Sequence, residues 1–119
     1  MPLTLDAFAK AALSLPEVYE QTSRGHRMFY VGKKGFAWER PFSKADLKRF
    51  GDETPPDGPI AAVITADLHA KEALLAEGLP GFFTIEHFNG YTGVLIQLNR
   101  AKAKDVRDAI EEAYFVATR

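Results

Sequence analysis

The sequence contains no cysteine, and it has only one tryptophan and two methionines among its 119 residues. The absence of cysteine excludes disulfide bonds, thiolate catalysis and cysteine-bound zinc. No apolar run approaches the roughly 20 residues that cross a bilayer, so we expect no membrane association. The first residues, Met1 to Thr4, lack a positive segment followed by an apolar one. We therefore expect no secretory signal and a cytoplasmic protein.

An excess of charge of either sign is also missing, because 15 Lys and Arg residues oppose 16 Asp and Glu residues. This balance argues against a generic nucleic-acid coat, which is usually strongly basic. A hydrophobic share of 46% and a charged share of 26% are typical of ordinary globular proteins. A chain of this length forms one core, so we predict a single domain over residues 1–119.

The first part of the chain predicts a helix followed by a β-hairpin. Thr4 is a suitable helix N-cap, apolar residues with helical spacing follow it, and Pro16 ends the helix. Two aromatic-rich runs, at 27–31 and 36–40, flank a short glycine-bounded loop. This pattern predicts two paired strands with lysines at the tip of their turn.

The rest of the chain predicts two more helices, further strands and one short helix. Ser43 and Asp46 have the spacing of a capping box, which favours a short helix over 44–50. Asn89 and Gly90 form a strong hairpin-turn signal between two apolar runs. The predicted elements are a strand at 60–65, a helix at about 67–77, strands at 82–87 and 94–98, and a helix at about 102–118.

The predicted order is helix, two strands, short helix, one strand, helix, two strands, helix. This order lacks the βαβ alternation of a parallel doubly wound sheet. It predicts an α+β fold, a two-layer sandwich in which helices pack on one side of an antiparallel sheet.

Several stretches resemble the MmcQ/YjbR family over nearly the whole chain. They are Leu13–Val18, Tyr30–Trp38, Phe82–Tyr91, Val94–Leu98 and Glu112–Ala117. The resemblance implies a CyaY-like or secretion-chaperone-like sandwich of order α-β-β-β-α-β-β-α, in which the short helix at 44–50 is part of a connection. It also implies DNA binding by a double-wing domain. It supplies no enzyme activity, cofactor or catalytic residue.

The charge is distributed unevenly along the chain. Residues 24–49 hold eight cations against Glu39 and Asp46, a net charge of +8 − 2 = +6, which leaves −7 for the other residues. We predict that these cations form a DNA-binding surface, with lysines at a wing tip and other cations nearby. The alternative is an ordinary solvated face. The cations are Arg24, Arg27, Lys33, Lys34, Arg40, Lys44, Lys48 and Arg49.

Motifs for metal binding or catalysis are missing. The three histidines, His26, His69 and His87, do not have the spacing of a metal-binding box. No nucleophile motif or phosphate-binding glycine loop occurs, so we expect no enzyme activity, cofactor or metal. A weaker enzyme hypothesis uses Glu86, His87 and Tyr91 near the second predicted hairpin.

The aromatic residues leave a second function open. Side chains alternate along a strand, so only half of the aromatic residues lie on the same side of a sheet. Because aromatic side chains usually pack in the interior of a two-layer sandwich, we expect most of them in the core. Tyr30 and Trp38 on an uncovered face would instead contact bases or a protein partner. The alternative to DNA binding is therefore a module that binds a protein or small ligand through the open sheet face, as a monomer or a dimer. The aromatics considered are Phe29, Tyr30, Phe36, Trp38, Phe82, Phe83, Phe88 and Tyr91.

Overall fold

A computed structural model describes residues 3–119, so part of the Met1–Thr4 segment lies outside the described residues. The α-helices of this part of the chain are α1 (Leu5–Leu13), α2 (Lys44–Phe50), α3 (Leu68–Ala76) and α4 (Ala103–Ala117). The strands are β1 (Val18–Ser23), β2 (His26–Val31), β3 (Lys34–Glu39), β4 (Ile60–Ile64), β5 (Phe82–Phe83) and β6 (Gly93–Gln97). A 3₁₀ turn spans Glu86–Phe88. None of the helices in residues 3–119 has the length and apolar character needed to cross a membrane.

The six strands form one antiparallel sheet in the order β1-β2-β3-β4-β6-β5. The pairing of β2 with β3 shifts by one residue, so that Phe36 is the extra residue of a β-bulge. Both Phe36 and its neighbour Ala37 are therefore buried on the same side of the sheet. The predicted α+β sandwich with an antiparallel sheet is confirmed.

The main core lies between one face of the sheet and the helices α1 and α4. Phe8 of α1 meets Phe29 of β2 edge to face, and Ile110 of α4 is fully buried in the same cluster. On the other face, a smaller cluster under the loops around Phe42 and Phe88 covers β3 to β6. No residue of β1 or β2 belongs to this smaller cluster, so this face remains uncovered at the β1 edge.

The predicted helix starts are confirmed because each depends on local side-chain bonds. The Thr4 hydroxyl accepts a hydrogen bond from the Ala7 N–H at 3.1 Å. Ser43 and Asp46 form the reciprocal capping box. The α4 helix buries Val106, Ala109, Ile110, Ala113 and Ala117, as its periodicity predicts.

One strand was missed, and one strand prediction is wrong. The strand β1 was not predicted, since four of its six residues are exposed and its apolar content is low. The predicted strand at 82–87 keeps only its first two residues, and Glu86–Phe88 turns into the 3₁₀ segment. The ammonium of Lys71 binds the Phe88 and Tyr91 carbonyls, both at 2.7 Å, which folds this segment onto α3.

Candidate nucleic-acid interface

The eight predicted DNA-binding cations do not form one continuous patch. Arg24 lies in the turn before β2, whereas Lys33 lies in the turn after it. A six-residue strand separates these turns by about 17 Å. Lys34 begins β3 beside Lys33, whereas Arg27 near the start of β2 and Arg40 after the end of β3 lie at the end of the hairpin where Arg24 lies. The helix α2, which carries Lys44, Lys48 and Arg49, lies beside residues 84–87, which follow β5. The cations are therefore divided between the two ends of the β2–β3 hairpin and the separate helix α2.

Arg27 is engaged within the protein. Its guanidinium binds both carboxylate oxygens of Glu20, at 2.7 and 3.0 Å, and contacts Asp6 of α1 at 2.8 Å. Hydrogen bonds from Arg27 hold the pKa of the Glu20 carboxyl below its usual range. These bonds join α1 to the first hairpin, so Arg27 has a structural role and contributes little to a phosphate-binding surface.

Arg40 and Arg49 share a buried carboxylate. Asp46 is only 2% exposed, and its oxygens lie 3.0 Å from Arg40 and 3.6 Å from Arg49. Burial alone would raise the pKa of Asp46, but hydrogen bonds from Ser43 and Arg40 hold it below the ordinary value. The pair ties α2 to the end of β3 and neutralises part of the local positive charge.

Five of the eight cations make no ion pair within residues 3–119, and all five are exposed. Arg24 has a positive φ of 53° and precedes Gly25 at 81°, which makes a tight turn that projects from the sheet. Lys33 and Lys34 occupy the opposite turn. Together with two lysines of α2, we call these residues the free cations: Arg24, Lys33, Lys34, Lys44 and Lys48.

A row of aromatic rings runs from the uncovered edge of the sheet at β1 to the border of the smaller cluster, against which Trp38 packs. Tyr19 of β1 and Tyr30 of β2 are paired across the strands, and their rings stack with centroids 5.7 Å apart. Trp38 of β3 is the diagonal neighbour of Tyr30, and its ring lies 6.4 Å from that of Tyr91. We define the aromatic row as Tyr19, Tyr30, Trp38 and Tyr91.

The uncovered face carries no carboxylate along β1, β2 and β3. Strand alternation turns Glu20 and Glu39 toward the helix layer, where both bind Arg27. The strand residues on the uncovered face are Tyr19, Gln21, Ser23, His26, Met28, Tyr30, Gly35 and Trp38. An anionic ligand therefore meets aromatic and neutral polar groups there without like-charge repulsion.

The histidines remain apart from one another. His26 begins β2, His69 lies exposed in α3, and His87 lies in the 3₁₀ turn. Within residues 3–119, no three His, Asp or Glu side chains converge as metal ligands would. Glu86 and His87 line a groove of about 210 Å³ with Asp46 and Arg49, outside the aromatic row.

Two important residues were missed by sequence reasoning. Tyr19, which is 41% exposed, lies in the unpredicted strand β1. Lys71 is only 6% exposed, although lysine is normally a surface residue. The alternation around Tyr19 offered a weak strand signal. No sequence signal marks Lys71, because its carbonyl partners lie 17 and 20 residues away.

Comparison with known proteins gives the family of this chain. The uncharacterized proteins Rv2570 and MT2646 of Mycobacterium tuberculosis and Mb2600 of Mycobacterium bovis are each 39% identical over 116 residues. These alignments cover 95% of this chain and 87% of each relative. No solved structure matches the chain. A family model described as YjbR matches residues 13–116, and the chain therefore belongs to the YjbR family.

Proposed function

We propose that this chain is a cytoplasmic, non-enzymatic DNA-binding protein that uses the uncovered face of β1–β3. The observation that supports the proposal most is the combination of a carboxylate-free face with free cations at both of its ends. A flat, neutral surface bounded by positive charge at two places fits an extended polyanion better than a compact anion.

The free cations supply the phosphate contacts in this proposal. Lys33 and Lys34 contact the backbone at one end of the face, and Arg24 contacts it at the other. Each neutralised phosphate releases counterions, so affinity falls as salt rises, with a logarithmic slope of about 0.7–0.9 per contact. Three such contacts give a slope of about 2 to 3. These contacts carry no sequence preference.

The test is fluorescence anisotropy with labelled single-stranded and duplex DNA at low and moderate salt. The variant Lys33→Glu/Lys34→Glu reverses two charges at the β2–β3 turn. The matched control Lys10→Glu/Arg107→Glu reverses two charges on exposed residues of α1 and α4, in the helix layer, and changes the net charge equally.

We expect the wild-type chain and the control to bind with similar affinity, and the turn variant to bind at least tenfold more weakly. Binding should weaken steeply with salt in the wild type. Absence of binding at low salt would overturn the proposal and leave the sheet face to a protein or small-ligand partner. Equal loss of affinity in both variants would also overturn it, because net charge alone would then explain the binding.

A further inference from the structure

The aromatic row, Tyr19, Tyr30, Trp38 and Tyr91, has one strongly exposed ring at each end and two partly exposed rings between them. We propose that it stacks the bases of single-stranded DNA, so that this chain prefers an unpaired strand to a duplex. The inference rests on the proposed DNA binding and names the form of DNA that the site takes. Its physical basis is that unpaired bases expose faces for stacking, whereas the faces of a duplex are buried.

The row extends across three strands. Tyr30 pairs with Gly35, and Trp38 pairs with Met28 beyond the β-bulge, so both rings lie on the same face of adjacent strands. Tyr19 extends the surface toward the β1 edge, and Tyr91 extends it from Trp38 in the other direction. The row is therefore long enough for more than one base.

Two glycines and one hydrogen bond keep the rings in place. The Tyr30 ring packs over Gly35, where a Cβ would lie 3.2 Å from the ring. The Tyr91 ring packs over Gly93, where a Cβ would lie 2.5 Å from the ring. The Tyr19 hydroxyl donates to the Gly32 carbonyl. Because these contacts restrain the rings before any ligand binds, little side-chain entropy is lost on stacking.

Free cations flank the part of the row on β1 and β2. The Tyr19–Gly32 bond places the turn with Lys33 beside Tyr19. Arg24 lies in the turn between β1 and β2, at the opposite end of these strands. Arg40, near the Tyr91 end of the row, is paired with Asp46 and contributes little to this charge. A protein partner would need only the apolar surface, whereas a single strand uses both the rings and the free cations.

Trp38 provides a direct test because it is the single tryptophan of the chain. Its fluorescence reports on the row without labelling. We expect a single-stranded oligonucleotide of mixed sequence to quench Trp38 emission, with a midpoint equal to the dissociation constant from anisotropy. A duplex of the same length should bind more weakly and quench less.

Two exposed rings are suited to substitution. Tyr19→Leu and Tyr91→Leu each remove one ring whose exposure exceeds 40%, and Phe115→Leu removes an exposed ring in the helix layer as a matched control. We expect each row variant to bind the single strand about 5- to 100-fold more weakly, because stacking contributes that much per base. The control should bind as the wild type does.

The outcomes separate this inference from the proposed DNA binding. Equal affinity for duplex and single strand, with unchanged affinity in Tyr19→Leu and Tyr91→Leu, would overturn base stacking and leave DNA binding in place. Absence of binding to either DNA would overturn both. Single-strand binding without any change in Trp38 emission would also overturn base stacking. Circular dichroism of each variant confirms that it remains folded.

Discussion

Lys71 shows how one buried residue positions a functional segment. Its ammonium lies in α3 and binds two carbonyls of the segment that carries Tyr91, and the Phe88 ring lies 5.9 Å away. Burial lowers the pKa of Lys71. The hydrogen-bond partners of its ammonium are two carbonyl oxygens, and no carboxylate among them offsets this effect. The residue thus stabilises the end of the aromatic row at the cost of a buried charge.

We predict that Lys71→Met destabilises the fold by about 1–3 kcal/mol, because a buried carbonyl loses its hydrogen-bond partner. Urea unfolding measures this loss, with Lys10→Met as the control at an exposed lysine.

Because the folded-state pKa of Lys71 lies below the unfolded value, the unfolded chain binds the proton more tightly at pH values between these two pKa values. The stability of wild type relative to Lys71→Met should therefore rise with pH in the window just below 10.5. A stability difference that falls with pH in that window would contradict this account.

Asp46 is the second residue with a clear energetic role, as the shared acceptor of Ser43, Arg40 and Arg49. We predict that Asp46→Asn costs about 2–3 kcal/mol. Breaking a fully buried pair costs about 3–5 kcal/mol, but Arg40 keeps partial access to water. Chemical unfolding at neutral pH measures the difference, and Asp52→Asn is the control at an exposed carboxyl.

The pH dependence of Asp46 follows from its depressed folded-state pKa. The stability from the ionised carboxyl is fully present above the unfolded value of about 4 and is lost as pH falls through the folded pKa. The difference between wild type and Asp46→Asn should therefore shrink below pH 4. A difference that stays constant to pH 2 would show that the charge of Asp46 does not matter.

At the scale of elements, the Phe88–Gly93 turn positions the last ring of the aromatic row. We predict that Gly93→Ala displaces the Tyr91 ring, because the new Cβ would lie 2.5 Å from it. Trp38 emission should then change even without ligand, since Tyr91 packs against Trp38. Gly32→Ala is a poor control because of its positive φ, whereas Ala103→Gly at the start of α4 leaves the row untouched. Unchanged emission in Gly93→Ala would contradict the assigned packing.

Local signals explain which elements could be predicted from the sequence. The caps at Thr4, Ser43 and Asp67 bind backbone N–H groups three residues away, so the sequence contains both partners of each bond. The strand β1 depends on pairing with β2, and the loop after Phe83 depends on Lys71. Such long-range partners leave at most a weak local pattern, so β1 was missed and the loop after Phe83 was predicted as a strand.

The sequence showed which residues make the candidate site positively charged, but it showed only part of their arrangement in space. The charge of residues 24–49 was evident, but Arg27 pairs with Glu20 across two strands, which no local spacing indicates. The separation of Arg24 from Lys33 does follow from the predicted hairpin, because turns before and after one strand lie at its opposite ends. The exposed position of Tyr19 could not be predicted without the order of the strands, which places β1 at the edge of the sheet.

At the scale of the whole molecule, the two layers differ in charge. The helices α3 and α4 flank a groove of about 480 Å³, which is lined by four acidic residues and one lysine. These carboxylates are Glu77, Asp105, Asp108 and Glu112, and Asp108 pairs with Lys104 at 2.9 Å. Three of the free cations, Arg24, Lys33 and Lys34, lie at the ends of the uncovered sheet face instead. The overall charge of −1 thus combines a surface that repels polyanions with one that attracts them.

In the proposed complex with DNA, this arrangement defines a preferred side of approach, and mapping that side tests the central claim most directly. The measurement is a titration of the ¹⁵N-labelled chain with a short single-stranded oligonucleotide, followed by amide and tryptophan indole resonances. The account predicts shifts concentrated in β1–β3, at the turns of Arg24 and Lys33, and at the Trp38 indole, with α4 unchanged. Shifts concentrated in α1 and α4, or no shifts at low salt, would contradict it.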